Sequence, residues 1–266
     1  MNLGVIGCGK MGTALVQGAL AAGVVKADEV MGTDVNLAAR ENFTKLTEVR
    51  TTAEISEILE NSNVLLLCIK PQDVFSALAG LKSEAAGKLM ISIAAGVTIS
   101  NLEKNTPETV RVIRTMPNTP ALVGKGAAAY SLGSRCIAGD EEMVRSLLGA
   151  VGLAVSLPEK LMDAVTGLSG SGPAYVYLII EAMADGGVRA GLPRAEALRL
   201  AAQTVSGAAE MVLQTGIHPA MLKDMVTSPG GTTIAGLAVL EEKNVRSAMI
   251  GAVVAATARA AELGKL

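Results

Sequence analysis

Residues 3–12 read Leu3-Gly4-Val5-Ile6-Gly7-Cys8-Gly9-Lys10-Met11-Gly12, and the reading of this stretch decides the fold. A short apolar run ends in a G-x-G-x-x-G turn, and an amphipathic stretch from Thr13 to Ala22 then closes at Gly23. That is strand, glycine turn and helix. Gly7 permits a tight turn, Gly9 lets backbone approach a pyrophosphate, and Gly12 lets helix and strand pack closely. The glycine spacing alone is a weak signal, because glycine is common. Its place after a strand and at a helix start turns it into a dinucleotide-binding signature, with Lys10 and Met11 inside the same turn.

Working outward, strand and helix keep alternating. A second strand, 29–33, ends at Asp34, about where an acid grips the ribose 2′-hydroxyl of a bound adenosine. An acid there favours NADH over NADPH, because a 2′-phosphate would meet a like charge. Asp34 can equally cap the helix starting near Asn36, and Arg40 can still reach a phosphate. A short third strand (49–51) and an acidic surface helix (54–60) follow. Val64 to Ile69 is a continuous apolar run, as a strand buried on both faces requires. It stops at Lys70-Pro71, with Pro71 suited to the first turn of a helix. Lys70 thus sits where open α/β sheets bind ligands, with a plain surface lysine as the alternative.

A fifth strand (89–94) ends in Ala95-Gly96-Val97, small enough to let a flat ring approach. A sixth (110–114) precedes Thr115-Met116-Pro117-Asn118-Thr119-Pro120, where the prolines bar regular structure. Asn118 can both donate to and accept from a ligand amide. Strands at 127–132 and 153–156 flank a helix at 141–150. Six or more strands alternating with helices predict an α/β, Rossmann-type doubly wound sheet over residues 1–158.

After Pro158 the strand pattern stops. Segments 173–190, 194–214, 219–226, 232–242 and 245–263 carry apolar residues at helical spacing, so residues 159–266 read as an all-helical domain. Several of these helices, 196–213 for instance, are apolar nearly all round. A domain this small cannot hide so many faces alone, which predicts a homodimer sharing one core. Within it, residues 226–240 read VTSPGGTTIAGLAVL. Gly230 and Gly231 permit a sharp turn and Thr232 or Thr233 can cap the next helix. The N–H groups and hydroxyls left at that positive helix end suit a small anion, although an ordinary helix–helix turn reads the same way. The small residues at 167–175 permit close approach of either a ligand or a neighbouring helix.

Composition narrows the chemistry. Hydrophobic residues make up 50% of the 266 and charged residues 18%, which describes a globular chain with one or two domains. A net charge of −2 gives no general attraction to nucleic acid or an anionic membrane. The three cysteines lie far apart and there is one histidine, so neither disulfides, nor a zinc site, nor chemistry needing two imidazoles is expected. The first 25 residues lack a basic start and are broken by glycines, unlike a signal peptide or membrane span. A reducing cytoplasm is the expected compartment.

Taken together, these motifs resemble the pyrroline-5-carboxylate reductases over essentially the whole chain. The resemblance is carried by GCGKMG at 7–12, IKP at 69–71, AAGVTI at 94–99, MPNTP at 116–120, DAVTGLSGSGPAY at 163–175, ADGGVRAGLP at 184–193 and PAMLKDMVTSPGGTTIAGLAVLE at 219–241. The last is the family signature, and every required position is met. The resemblance implies reduction of the cyclic imine 1-pyrroline-5-carboxylate to L-proline with NADH or NADPH. It also implies a Rossmann domain, a helical dimerisation domain, and dimers that assemble further into decamers, a pentamer of dimers.

Carried onto this sequence, Gly7, Gly9, Lys10, Met11 and Gly12 cradle the pyrophosphate and Asp34 reads the ribose. Ile69, Lys70, Pro71, Ala95, Gly96 and Asn118 line the cofactor, with Met225 nearby. Glu159, Ser228, Gly230, Gly231, Thr232 and Thr233 surround the substrate. Relatives carry serine or arginine at the Asp34 position, so the NADH preference rests on this chain's own aspartate. Residues 52–61 also run longer than in relatives, and no adenine contact is carried there.

A protonated cyclic imine is already an electrophile, so hydride transfer needs an oriented nicotinamide but no covalent step and no metal. The expected catalytic residues are Thr233, hydrogen-bonded to the imine nitrogen, Ser228 within the carboxylate cradle, and Lys70 as a nearby positive charge. In the shared dimer the loop at 228–233 would face the partner's cofactor. A 3-hydroxyacid dehydrogenase would need a lysine on the helix at 173–190, which has none. A non-catalytic dinucleotide-binding regulator is the reading from a different class.

Overall fold

The computed structural model describes residues 1–264. The first part runs β1 (Leu3–Ile6), α1 (Lys10–Ala21), β2 (Val30–Thr33), α2 (Leu37–Thr47), β3 (Arg50–Thr52), α3 (Ile55–Asn61), β4 (Val64–Leu67) and α4 (Val74–Ala79). It continues β5 (Leu89–Ser92), α5 (Ile99–Lys104), β6 (Arg111–Met116), β7 (Gly126–Leu132), α6 (Asp140–Gly149) and β8 (Gly152–Ser156). Helices follow: α7 (Met162–Val165), α8 (Gly172–Arg189), α9 (Arg194–Thr215), α10 (Pro219–Met225), α11 (Thr232–Glu242) and α12 (Val245–Leu263). The Rossmann-type α/β sheet followed by helices is the fold expected from the sequence.

One sheet has the order β3-β2-β1-β4-β5-β6-β7-β8. Strands β1 to β6 are parallel, β7 runs antiparallel to β6, and β8 runs parallel to β7. The strand order reverses at β1. Ile6 pairs with Leu67, so the loops after β1 and β4 leave the sheet side by side at the point where such folds bind ligands.

The alternation of side chains explains why β4 reads as an unbroken apolar run. Val64 and Leu66 join a core with Leu3, Val5, Leu15, Phe43 and Tyr130 on one face. Leu65 and Leu67 join Ile6, Ile58, Leu78 and Met90 on the other. Each such leucine contributes about 1.5–3 kcal/mol relative to exposure, and all three of Leu65, Leu66 and Leu67 are fully buried.

Two local expectations need correction. Strand β6 continues through Thr115 and Met116, and Pro120 sits in a short helical turn over Thr119–Val123. Proline near a helix start sacrifices no hydrogen bond, so the MPNTP stretch is more regular than its prolines suggest. The helix after β2 is capped by Asn36, whose side chain accepts from Ala38 and Ala39 N–H, leaving Asp34 for other partners.

The chain packs as two compact units. The first comprises Met1–Ser171 and the C-terminal end from Val254 onward; the second is Gly172–Val253. In the second unit α8 and α9 form a hairpin around Ala184, Ala197 and Ala201, flanked by Ile180 and Val188. Among the described residues no helix is long and apolar enough to cross a membrane.

Candidate active site

The glycine turn after β1 has the geometry its spacing predicts. Gly7 has φ +105°, and a Cβ there would collide with the Cys68 carbonyl. A Cβ on Gly12 would lie 2.5 Å from the Gly7 carbonyl, so α1 approaches β1 as closely as backbone allows. A Cβ on Gly9 would meet nothing within 4 Å; that side of the turn is open. Gly9 is also the N-cap of α1, with no side-chain cap and no acidic residue in the first turn. The positive end of α1 thus faces open space, as a pyrophosphate cradle requires. Lys10 is exposed and Met11 half-buried at the same helix start.

Asp34 is tied to this turn. Its Oδ2 accepts from Cys8 N–H at 2.9 Å and its Oδ1 from Asn36 N–H at 2.9 Å, while Arg40 Nη1 donates to its backbone carbonyl at 2.5 Å. Each carboxylate oxygen keeps one lone pair for a ribose hydroxyl. Burial pushes the Cys8 thiol up to about 12, helped by the Asp34 charge and opposed by Arg40. Burial, with a smaller contribution from Cys8, also raises Cys68.

At the ends of β4 and β5, Lys70, Pro71 and Ala95 are exposed and Ile69 is half-buried. Gly96 has φ +76°, and the backbone of Gly264 lies on its open side. Asn118 is buried and already engaged: Nδ2 donates to the Ser169 carbonyl at 3.0 Å, and Oδ1 accepts from Ala127 N–H at 2.8 Å. It ties the turn after β6 to β7 and to a wide helical turn over Thr166–Gly170, which Ser171 N–H closes on the Thr166 carbonyl at 2.8 Å. Glu159 Oε1 accepts from Ile99 N–H at 2.7 Å and from Arg114 Nη1 at 3.2 Å. Arg114 is buried and also reaches Asp163 at 3.4 Å.

In the second unit, residues 226–233 join α10 to α11. Gly230 has φ +66°, and Gly231 N–H donates to the Ser228 carbonyl at 3.1 Å to close the turn. A Cβ on Gly231 would collide with Ser228 Oγ. Gly231, rather than Thr232 or Thr233, is the N-cap of α11, with no side-chain cap and no acid in the first turn. Both threonines therefore sit in the first helical turn with hydroxyls not spent on capping. Ser228 and Thr232 are exposed, Thr233 is half-buried, and Met225 is 71% exposed at the end of α10. The geometry is a helix N-terminus with uncapped N–H groups, where the helix dipole is positive.

Sequence reading overlooked Arg114 and Gly264. A charged residue within the otherwise buried β6 was an available signal for the first; nothing in the sequence marks the second. Among the described residues, no group of three or more His, Cys, Asp or Glu is placed to hold a metal ion.

Residues 159–263 match a family profile described as pyrroline-5-carboxylate reductase dimerisation, and residues 2–96 match one described as NADP oxidoreductase coenzyme F420-dependent. The chain is 48% identical to the pyrroline-5-carboxylate reductase of Methanosarcina acetivorans, over 99% of this chain and 98% of that one. Among solved structures it is similar to pyrroline carboxylate reductase of Plasmodium falciparum with NADP bound: TM-score 0.89, 33% identity, 99% of this chain and 98% of that one. A pyrroline-5-carboxylate reductase from Coxiella burnetii aligns with TM-score 0.91 and 36% identity, over 98% of both chains.

Proposed function

The chain belongs to the pyrroline-5-carboxylate reductase family and is an NAD(P)H-dependent oxidoreductase that reduces 1-pyrroline-5-carboxylate to L-proline; from that premise we propose which of its residues carry the reaction. Gly7, Gly9, Lys10, Met11 and Gly12 hold the pyrophosphate at the open end of α1. Asp34 accepts from a ribose hydroxyl and repels a 2′-phosphate, which favours NADH. Ile69, Lys70, Pro71, Ala95 and Gly96 line the nicotinamide side, with Met225 flanking. Asn118 acts from behind by fixing the turn after β6. Bound there, the cofactor supplies a hydride from its nicotinamide ring.

The N–H groups and hydroxyls of Ser228, Gly230, Gly231 and Thr232 bind the substrate carboxylate. The Thr233 hydroxyl hydrogen-bonds the imine nitrogen and orients it while staying neutral. Lys70 adds a positive charge, and Glu159 serves the substrate region by holding the start of α5. The observation that carries this reading is the side-chain-free N-cap of α11 directly after Ser228-Pro229-Gly230.

Mixing the protein with 1-pyrroline-5-carboxylate and following NADH absorbance at neutral pH tests the reaction, and a parallel NADPH run tests the Asp34 preference. Absence of substrate-dependent NAD(P)H loss would overturn it and leave a dinucleotide-binding regulator. A 3-hydroxyacid dehydrogenase is disfavoured because α8 carries no lysine. The reading includes a dimer formed through the helical domain of residues 159–266, association of dimers up to a decamer, and a reducing cytoplasm suited to three unpaired thiols.

A further inference from the structure

We infer that Gly264 is a positioning residue: its missing Cβ lets the end of α12 seat against the Gly96 backbone and so sets the loop between β5 and α5. This rests on the assignment of that loop to the nicotinamide side of the site.

The loop has few holds of its own. Ile93 N–H donates to the Leu67 carbonyl at 3.1 Å where β5 ends, and Ile99 N–H donates to Glu159 where α5 begins. Between them, Ala94 N–H reaches Ser92 Oγ at 3.3 Å and Val97 N–H reaches the Ala94 carbonyl at 3.4 Å, both long. The tip, Ala95-Gly96, depends on what lies against it, and that is α12. A Cβ on Gly96 would sit 3.4 Å from both Cα and N of Gly264.

Glycine is needed at 96 for its angle, φ +76°. It is not needed at 264 for that reason, because Gly264 is absent from the positive-φ positions and its N–H continues the helix to the Ala260 carbonyl at 3.0 Å. The demand at 264 is the contact itself. A Cβ there would lie 3.0 Å from the Gly96 carbonyl oxygen. That oxygen is backbone and cannot swing aside as a side chain does, so any larger residue at 264 displaces the loop tip by a few tenths of an ångström or more.

Displacing this tip disturbs the nicotinamide end and leaves the pyrophosphate cradle at α1 untouched. The test compares two ligands on the full-length protein: NADH, followed by its fluorescence, and ADP-ribose, which lacks the nicotinamide. Gly264→Val is expected to weaken NADH about tenfold and lower kcat, with ADP-ribose affinity and thermal midpoint unchanged; Gly264→Ala shows the same pattern more weakly. A chain ended after Leu263 loses the contact without adding a clash and is expected to discriminate between the ligands in the same direction. If both ligands weaken together, or neither changes, the inference falls. Wild-type protein that binds NADH yet leaves 1-pyrroline-5-carboxylate untouched would instead overturn the reaction, and the ligand pair would still decide the role of Gly264.

Discussion

At the residue scale, Asp34 and Thr233 carry the sharpest expectations. The Asp34 carboxylate is held by two backbone N–H groups, and in the proposed site it would face an entering 2′-phosphate. Like charges about 4 Å apart repel by a few kcal/mol at an effective dielectric of about 20, and solvent reduces that at a half-open site. Asp34→Ser is therefore expected to shift the ratio of kcat/KM values toward NADPH about tenfold or more, read from initial rates with each cofactor. In the proposed mechanism Thr233→Ala removes one hydrogen bond to the reacting nitrogen, worth roughly 2–4 kcal/mol, so turnover should fall about 30- to 1000-fold with NADH affinity kept. Unchanged turnover would remove Thr233 from the mechanism. Cys8 makes a prediction about pH. Its thiol is raised from 9.0 to about 12 in the folded protein, so the folded state keeps a proton that the unfolded state loses. That stability is intact below pH 9 and declines as pH rises toward 12, and a thermal midpoint falling over that range more steeply than in Cys8→Ala would show it. The tight turn at Gly7 and the close packing at Gly12 were legible because the spacing of that motif is itself a steric statement. The partners of Asn118 were not, because both lie far along the chain, at Ala127 and Ser169.

At the element scale, the closeness of α1 to β1 and the position of α5 decide whether the cofactor mouth keeps its shape. Gly12→Ala places a methyl group 2.5 Å from the Gly7 carbonyl and must push α1 away from the strand it follows. Overpacking of this kind costs about 1–3 kcal/mol, and the same shift opens the cradle, so urea denaturation and NADH binding should worsen together. Arg114 works from beneath. Its buried guanidinium joins β6 to Glu159 and Asp163, and Glu159 in turn holds Ile99 at the start of α5. Arg114→Ala removes the cation that neutralises Glu159 and Asp163, each about a third exposed to solvent, and should destabilise the protein by about 1–2 kcal/mol in urea unfolding. Strand and helix positions were largely legible, because buried parallel strands read as continuous apolar runs and helices as 3.6-residue repeats. Direction was not. That β7 turns back antiparallel to β6 depends on the short connection over Thr119–Val123 and on the Asn118 tie, neither of which leaves a periodic trace.

For the whole molecule, what is missing from the second unit matters as much as what is present. Its buried apolar residues are Ala184, Ala197 and Ala201, all small. Meanwhile Leu178 is 67% exposed, Leu213 73%, Met221 63% and Ile250 61%, spread over four different helices. Apolar residues recur around the whole circumference of α11 and α12, and Ile234, Val239, Leu240 and Val254 are exposed as well. Fully burying a leucine or methionine side chain is worth about 1.5–3 kcal/mol, and helices that leave so many in water have little to hold them by themselves. The excess of apolar helix faces was visible in the sequence; the identity of the covering surface was not, because one chain's pattern specifies what must be buried and not what buries it. On the dimer proposed above, a second copy of this chain would supply the covering surface without any further partner, and its helices would then fold and associate in one step. The thermal midpoint should accordingly rise with protein concentration, and sedimentation at micromolar concentration should give a dimer or a multiple of it. A monomeric mass with a concentration-independent midpoint would mean that these helices are covered in some other way, and the shared-core reading would have to be given up.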